Sequence, residues 1–220
     1  MDNPSKIIEG GVEYSLGKFD GKSVVYDFPK ILIYLNAKGK LLFGKKFRIY
    51  DEDKDIILKL CSYFIRDKES CEKYEIDIDK GILLSGPVGC GKTSLMKLLR
   101  HIVPLQRPYE MIPCRNVTFS FNHLGFKTVE EYGNGKFYCF DDLGVEPAGR
   151  FYGKDLNVMG EVLLSRYELY LNTKRKIKTH ATTNLNAEEL EDRYGNRVRS
   201  RMRELFNLIA FDKGVGDKRK

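Results

Sequence analysis

Gly86-Pro87-Val88-Gly89-Cys90-Gly91-Lys92-Thr93 has the form G-x-x-x-x-G-K-[ST], and each fixed position has a chemical reason. Glycines let a backbone turn its N–H groups inward around phosphate oxygens, where a Cβ would collide. The lysine adds a mobile positive charge at the β- and γ-phosphates, and the hydroxyl after it can hold Mg2+. Chance produces such a match in a chain of this length about once in a hundred. Here the run also sits between an apolar strand and a helix, the context it needs, so Gly86–Thr93 with the following Ser94 is read as an ATP-binding loop.

A second constellation is Asp141-Asp142 at the end of the apolar run Phe137–Phe140. At the carboxyl edge of a parallel sheet, the first carboxylate can hold the Mg2+ shell and the second can activate a water for attack on the γ-phosphate. Glu146 is the next candidate base. Asp141-Asp142-Leu143-Gly144 also fits the D-x-x-G of GTPases, yet no N-K-x-D follows, which weighs against GTP. Asn184, ending the segment 178–183, either holds the attacking water or caps the next helix, as Asn186 equally could. His180 is expected to pack, and Cys90 and Cys139 to be inert. Arg193, Arg197, Arg199, Arg201 and Arg203 crowd one helical segment. Such a run is usually a solvated face; its functional readings are an arginine lent to a neighbouring subunit's nucleotide, or phosphate contacts to DNA.

These residues need elements to hold them. Strands are expected at Ile82–Ser85, Tyr109–Ile112, Lys136–Asp141, Ile177–Thr183 and Phe206–Phe211. Helices are expected at Lys92–Ile102 (ended by Pro104), Leu156–Leu171, Ala187–Arg193 and Asn196–Glu204, with Val117–Leu124 open between strand and helix. Ile56, Ile57, Leu60, Cys61, Phe64 and Ile65 line one face of an earlier helix that Asp51 or Asp53 can cap. The alternation predicts an α/β fold, a parallel sheet covered on both faces. Residues 1–50 lean toward β-structure, with Val24–Tyr26, Ile31–Leu35 and Leu41–Phe43 as strand candidates. The expected domains are therefore 1–50 and 51–220.

Composition narrows the function classes. The chain has 220 residues, 42% hydrophobic and 31% charged, an ordinary globular balance. No run approaches the roughly 18 apolar residues of a membrane span, and no secretory leader is visible. Five cysteines, odd in number and without C-x-x-C spacing, argue against disulfides and zinc and for a reducing cytoplasm. The net charge of +7 permits nucleic acid as a partner without showing it.

GPVGCGKT, FDDLGVEP, TTNLNAEEL and YGNRVRSRM, in that order, resemble the AAA+ ATPases of the DnaC/IstB clade, which comprises helicase loaders and transposition helpers. The similarity covers about residues 53–212. The resemblance implies a P-loop NTPase fold of AAA+ type with five parallel strands, binding ATP and Mg2+. It implies Lys92 and Thr93 as the Walker A pair, Asp141 as the Walker B magnesium ligand, Asn184 as sensor 1 and Arg201 as a trans-acting arginine finger in a homo-oligomer. Asp142 stands where the family has a glutamate, which implies slower hydrolysis. Only nine residues follow Phe211, so the helical lid is expected to be reduced or absent, with Arg219 as the candidate sensor 2. Single-stranded DNA and a replicative helicase or transposase are the implied partners. The rival readings are an IstB-type transposition helper, a small-molecule P-loop kinase, and a nucleotide-gated binding module that does not hydrolyse.

Overall fold

The computed structural model describes residues 3–103, 109–174, 176–212 and 214–219. It resolves into two compact units, Met1–Ile76 with Ser94–Pro108, and Asp77–Thr93 with Tyr109–Lys220.

In the first unit, β1 (Lys6–Glu9) and β2 (Val12–Ser15) form an antiparallel hairpin whose two-residue turn, Gly10-Gly11, has positive φ at both positions. A second hairpin joins β3 (Gly17–Phe19) to β4 (Val24–Tyr26). The strands expected at Ile31–Leu35 and Leu41–Phe43 do not form; both segments lie in helix α1 (Phe28–Phe43). The Asp27 carboxylate accepts from Lys30 N–H, Pro29 sits in the first turn, and Ile31, Tyr34, Leu35 and Gly39 are buried at helical spacing. A single 3-10 turn, Asp51–Asp53, leads into α2 (Lys54–Ile65), which buries Ile56, Ile57, Leu60, Cys61 and Phe64 as its spacing predicts. Asp53 occupies the N-cap position without a side-chain capping bond, and Asp51 pairs with Lys54 instead. Helix α3 (Lys68–Lys73) follows, capped by Asp67.

The second unit contains β5 (Gly81–Ser85) and the first two residues of α4 (Lys92–Leu99), whose residues from Ser94 onward belong to the first unit. Helix α4 stops three residues short of Ile102, and Pro104 lies outside the described residues. Then come β6 (Glu110–Pro113), α5 (Cys114–Leu124), α6 (Phe126–Tyr132) and β7 (Tyr138–Asp141). The open segment Val117–Leu124 is thus helical. A small hairpin of β8 (Gly149–Phe151) and β9 (Lys154–Leu156) takes Leu156 out of the next helix, so α7 spans Val158–Asn172 with Asn157 as its cap. After β10 (Thr179–Thr183), the two expected helices follow one another within α8 (Ala187–Leu205), separated at Gly195, whose φ of 78° and ψ of 160° are not helical. Strand β11 (Phe206–Ala210) completes the sheet. Among the described residues no helix follows it, and none is long and apolar enough to cross a membrane.

All five strands run parallel in the order β11-β5-β10-β7-β6. One sheet face, with Leu83, Tyr138, Phe140 and Ala181, packs against Phe121, Val162, Leu163, Val198 and Met202 from α5, α7 and α8. That burial is the main favourable term holding the strands in register. Because β10 lies between β5 and β7, three carboxyl ends meet side by side.

Candidate active site

The loop leaving β5 is held by its glycines. Gly89 and Gly91 adopt φ 83° and 102°, which L side chains rarely tolerate. Gly86 is needed for space: a Cβ there would stand 2.8 Å from Phe211 Cβ and 3.1 Å from Cys90 Sγ. Lys92, at the first turn of α4, is buried and turned into its own loop, with Nζ donating to Gly86 O at 2.7 Å and Pro87 O at 2.8 Å. Ser94 is the third residue of α4 and half-buried.

Across the strand tips, Thr93 and Asp141 meet. Thr93 Oγ1 donates to the Asp141 carboxylate at 2.9 and 3.1 Å, and Thr182 Oγ1 donates to Asp141 Oδ1 at 2.7 Å. Thr182 also accepts from Asp142 N–H at 3.0 Å, so one hydroxyl on β10 fixes both carboxylate residues. Sequence reasoning passed over Thr182; its place on the strand leading to Asn184 was the available signal. Asp142 sits at φ 57°, in the left-handed region. Burial, and then the negative charge of Asp141, hold its carboxyl above the usual carboxylate range, against the opposing charges of Lys92 and Arg219.

Asn184 is half-buried just beyond β10, and its Oδ1 is a buried acceptor with no hydrogen-bond partner among the described residues. The capping alternative falls to Asn186, whose side chain accepts from Glu188 and Glu189 N–H while Glu189 reaches back to Asn186 N–H. Glu146 is fully engaged elsewhere: it accepts from Tyr194 Oη at 2.6 Å and Gly144 N–H at 2.8 Å, and pairs with Arg193 at 3.6 Å. His180 is packed as expected, accepting from Ile82 N–H through Nδ1 at 3.1 Å. Cys90 and Cys139 are buried thiols outside any disulfide, and burial pushes the Cys139 thiol well up.

Residues beyond β11 return to the loop. Phe211 N–H donates to Ser85 O at 2.8 Å and Lys218 N–H to Gly89 O at 3.0 Å. The Asp217 carboxylate lies so close to Gly89 that a Cβ there would meet it at 2.2 Å. Asp217 also grips Arg219, accepting from its Nε and Nη2 at 3.1 Å each, and the Arg219 charge reaches Asp142. Arg201 is not gathered into this cluster by any of its contacts: it pairs with Glu204 at 3.4 Å and lies over the Tyr167 ring at 4.7 Å, half-exposed on α8. Arg197 and Arg203 are exposed, whereas Arg199 is buried.

The donor set suits a hard divalent cation: a hydroxyl and a carboxylate, both oxygen, touch at the mouth of the phosphate loop. The buried Asn184 Oδ1, with no donor among the described residues, adds a further acceptor.

Solved structures share this architecture. The chain is similar to the DnaC helicase loader at a TM-score of 0.53 and 17% identity, covering 76% of this chain and 94% of that one. It is similar to a candidate primosome component from Streptococcus pyogenes serotype M3 at 0.52 and 16% identity, covering 76% and 83%. AMPPCP-bound DnaA from Aquifex aeolicus aligns at 0.50 and 17% identity, over 81% of this chain and 51% of that one. No family model and no curated protein sequence matches the chain. The likeness shows the fold, a P-loop NTPase fold of AAA+ type, in agreement with the resemblance read from the sequence.

Proposed function

We propose that this protein is a Mg2+-dependent ATPase that binds ATP at Gly86–Thr93 and acts on DNA as a helicase loader or replication accessory protein in the cytoplasm. The observation that carries the reading is the Thr93–Asp141–Thr182 cluster at the mouth of a complete phosphate loop. The fold shared with the DnaC helicase loader supports replication over a small-molecule kinase.

In this reading Lys92 exchanges two loop carbonyls for phosphate oxygens, and backbone N–H groups around Gly89 and Gly91 cradle the phosphates. Thr93 and Asp141 would hold Mg2+, which neutralises charge on the β- and γ-phosphates when bound. Asn184 Oδ1 orients a water, and Asp142 accepts its proton as the water oxygen bonds to the γ-phosphorus and the bond to ADP breaks. A carboxylate made more basic by burial is suited to that task. Arg219, steered by Asp217, supplies positive charge from the same chain, and Arg201 supplies it to a neighbouring copy in a homo-oligomer. The client is a replicative helicase or, in the alternative, a transposase.

Turnover of Mg-ATP with and without single-stranded DNA tests this. Asp142→Asn should bind ATP normally and lose about 10²–10⁴ in rate, and the parent rate should rise with pH as the Asp142 carboxyl ionises. Arg201→Ala should bind ATP, turn over slowly, and regain activity when mixed with Lys92→Ala. An Asp142→Asn protein hydrolysing at the parent rate contradicts the assignment.

A further inference from the structure

We infer that residues 40–50 form a binding site for single-stranded DNA; this rests on the reading above that the protein acts on DNA. The stretch Lys40-Leu41-Leu42-Phe43-Gly44-Lys45-Lys46-Phe47-Arg48-Ile49-Tyr50 carries four cations and three aromatic rings and no acidic residue. Elsewhere in the same unit, Lys6, Lys30, Lys38 and Lys54 each have a carboxylate within 3.6 Å. Lys40, Lys45, Lys46 and Arg48 have no ion pair among the described residues, and all four are exposed.

The segment is built rather than loose. α1 ends on Gly44 at φ 99°, whose N–H donates to Lys40 O at 3.1 Å. Phe47 N–H returns to Gly44 O at 3.0 Å, and the Phe47 ring lies against Gly39 so closely that a Cβ there would meet it at 2.1 Å. Ile49 N–H donates to Asn36 Oδ1 at 3.3 Å. These contacts hold the chain back on α1 and leave the Phe43 ring 38% exposed, 5.3 Å from the Phe47 ring. The Arg48 guanidinium lies over Tyr50 at 4.6 Å.

Cations beside an exposed ring, here Phe43, are what an unpaired strand needs: ammonium groups follow the phosphates and an unstacked base lies on the ring. A duplex hides its base faces and could use only the charge. A lipid surface would require a long apolar stripe, but α1 already spends Ile31, Tyr34 and Leu35 inside its own unit. Ile33 on its flank and Leu41, Leu42 and Phe43 at its end are the large apolar residues it leaves exposed, and they form no continuous stripe of the length a membrane helix needs.

The test is fluorescence anisotropy of a labelled oligo-deoxythymidine with the full chain across a salt series, with ATP turnover measured in parallel. Lys45→Ala/Lys46→Ala should lower the slope of log affinity against log salt by about 1.4, roughly 0.7 for each lost contact. Phe43→Ala should weaken binding about fivefold or more and leave the slope unchanged. Lys45→Arg/Lys46→Arg should bind like the parent, and the lysine variants should melt with it, since those side chains are exposed. Parent-like affinity and slope in both alanine variants overturn this site alone. Equal loss on oligonucleotide and on phosphatidylserine vesicles, with the vesicles bound more tightly, also overturns it. No binding by the parent at low salt removes the DNA reading as well, and ATP turnover then stands separately.

Discussion

At the amino end of β10, Arg166 of α7 is fully buried and its charge is fully engaged. Nε donates to Thr179 Oγ1 at 2.8 Å, Nη2 to Lys178 O at 3.2 Å and Nη1 to Asn134 O, with the Tyr138 ring 5.4 Å away. Burial lowers this guanidinium to about 10, still charged at neutral pH. At the carboxyl end of the same strand the polar groups are differently placed. Asn184 Oδ1 is buried without a partner among the described residues, Asp142 is pushed toward its neutral form, and Lys92 rests on carbonyls of its own loop. Saturated partners make a buried charge structural, whereas acceptors and charges left short of partners mark where a ligand would complete the set.

The comparison can be broken at either end. The largest stability effect should come from Arg166→Met, which strands two carbonyls and the Thr179 hydroxyl. We expect about 3–5 kcal/mol lost in urea denaturation, with ATP affinity of the folded fraction unchanged. Asn184→Ala should do the reverse. Its Oδ1 has no protein bond to lose, so stability should stay within about 0.5 kcal/mol while turnover falls about ten- to hundredfold. Equal destabilisation by the two substitutions would erase the distinction between the ends.

A further effect, confined to acid pH, concerns His180. Burial, then the charges of Lys178 and Arg166, lower its imidazole to about 3. The folded state therefore binds fewer protons than the unfolded chain between about pH 3 and the ordinary histidine value near 6.5. Stability from this group is present above that window and lost as pH falls through it, by up to about 1.4 kcal/mol per pH unit. His180→Asn, whose side-chain oxygen can still accept from Ile82 N–H, should flatten that acid slope in denaturation measured across pH.

The carboxyl end was legible in the sequence because its chemistry is local. The phosphate loop is one contiguous run, and Asp141-Asp142 and Asn184 follow directly from apolar strands. What was missed depends on residues far apart in the chain: Thr182 bridging Asp141 and Asp142, Tyr194 and Arg193 occupying Glu146, and Asp217 against Gly89. Arg166 is invisible for the same reason, since nothing in α7 announces that Asn134 and Thr179 will receive it. The helix over Phe28–Phe43 was also legible. Ile31, Tyr34 and Leu35 fit a helical face, and Asp27 with Pro29 is a helix start; the run of β-branched and aromatic residues masked both.

The central claim is that the carboxyl end of this sheet is a nucleotide site, and equilibrium titration of Mg-ATP into the parent and Lys92→Ala tests it most directly. The parent should bind saturably, and Lys92→Ala should lose at least a hundredfold in affinity, because one charge-assisted phosphate contact in a partly dry site contributes a few kcal/mol. A Lys92→Ala protein that melts like the parent and binds ATP with the parent's affinity would contradict the account.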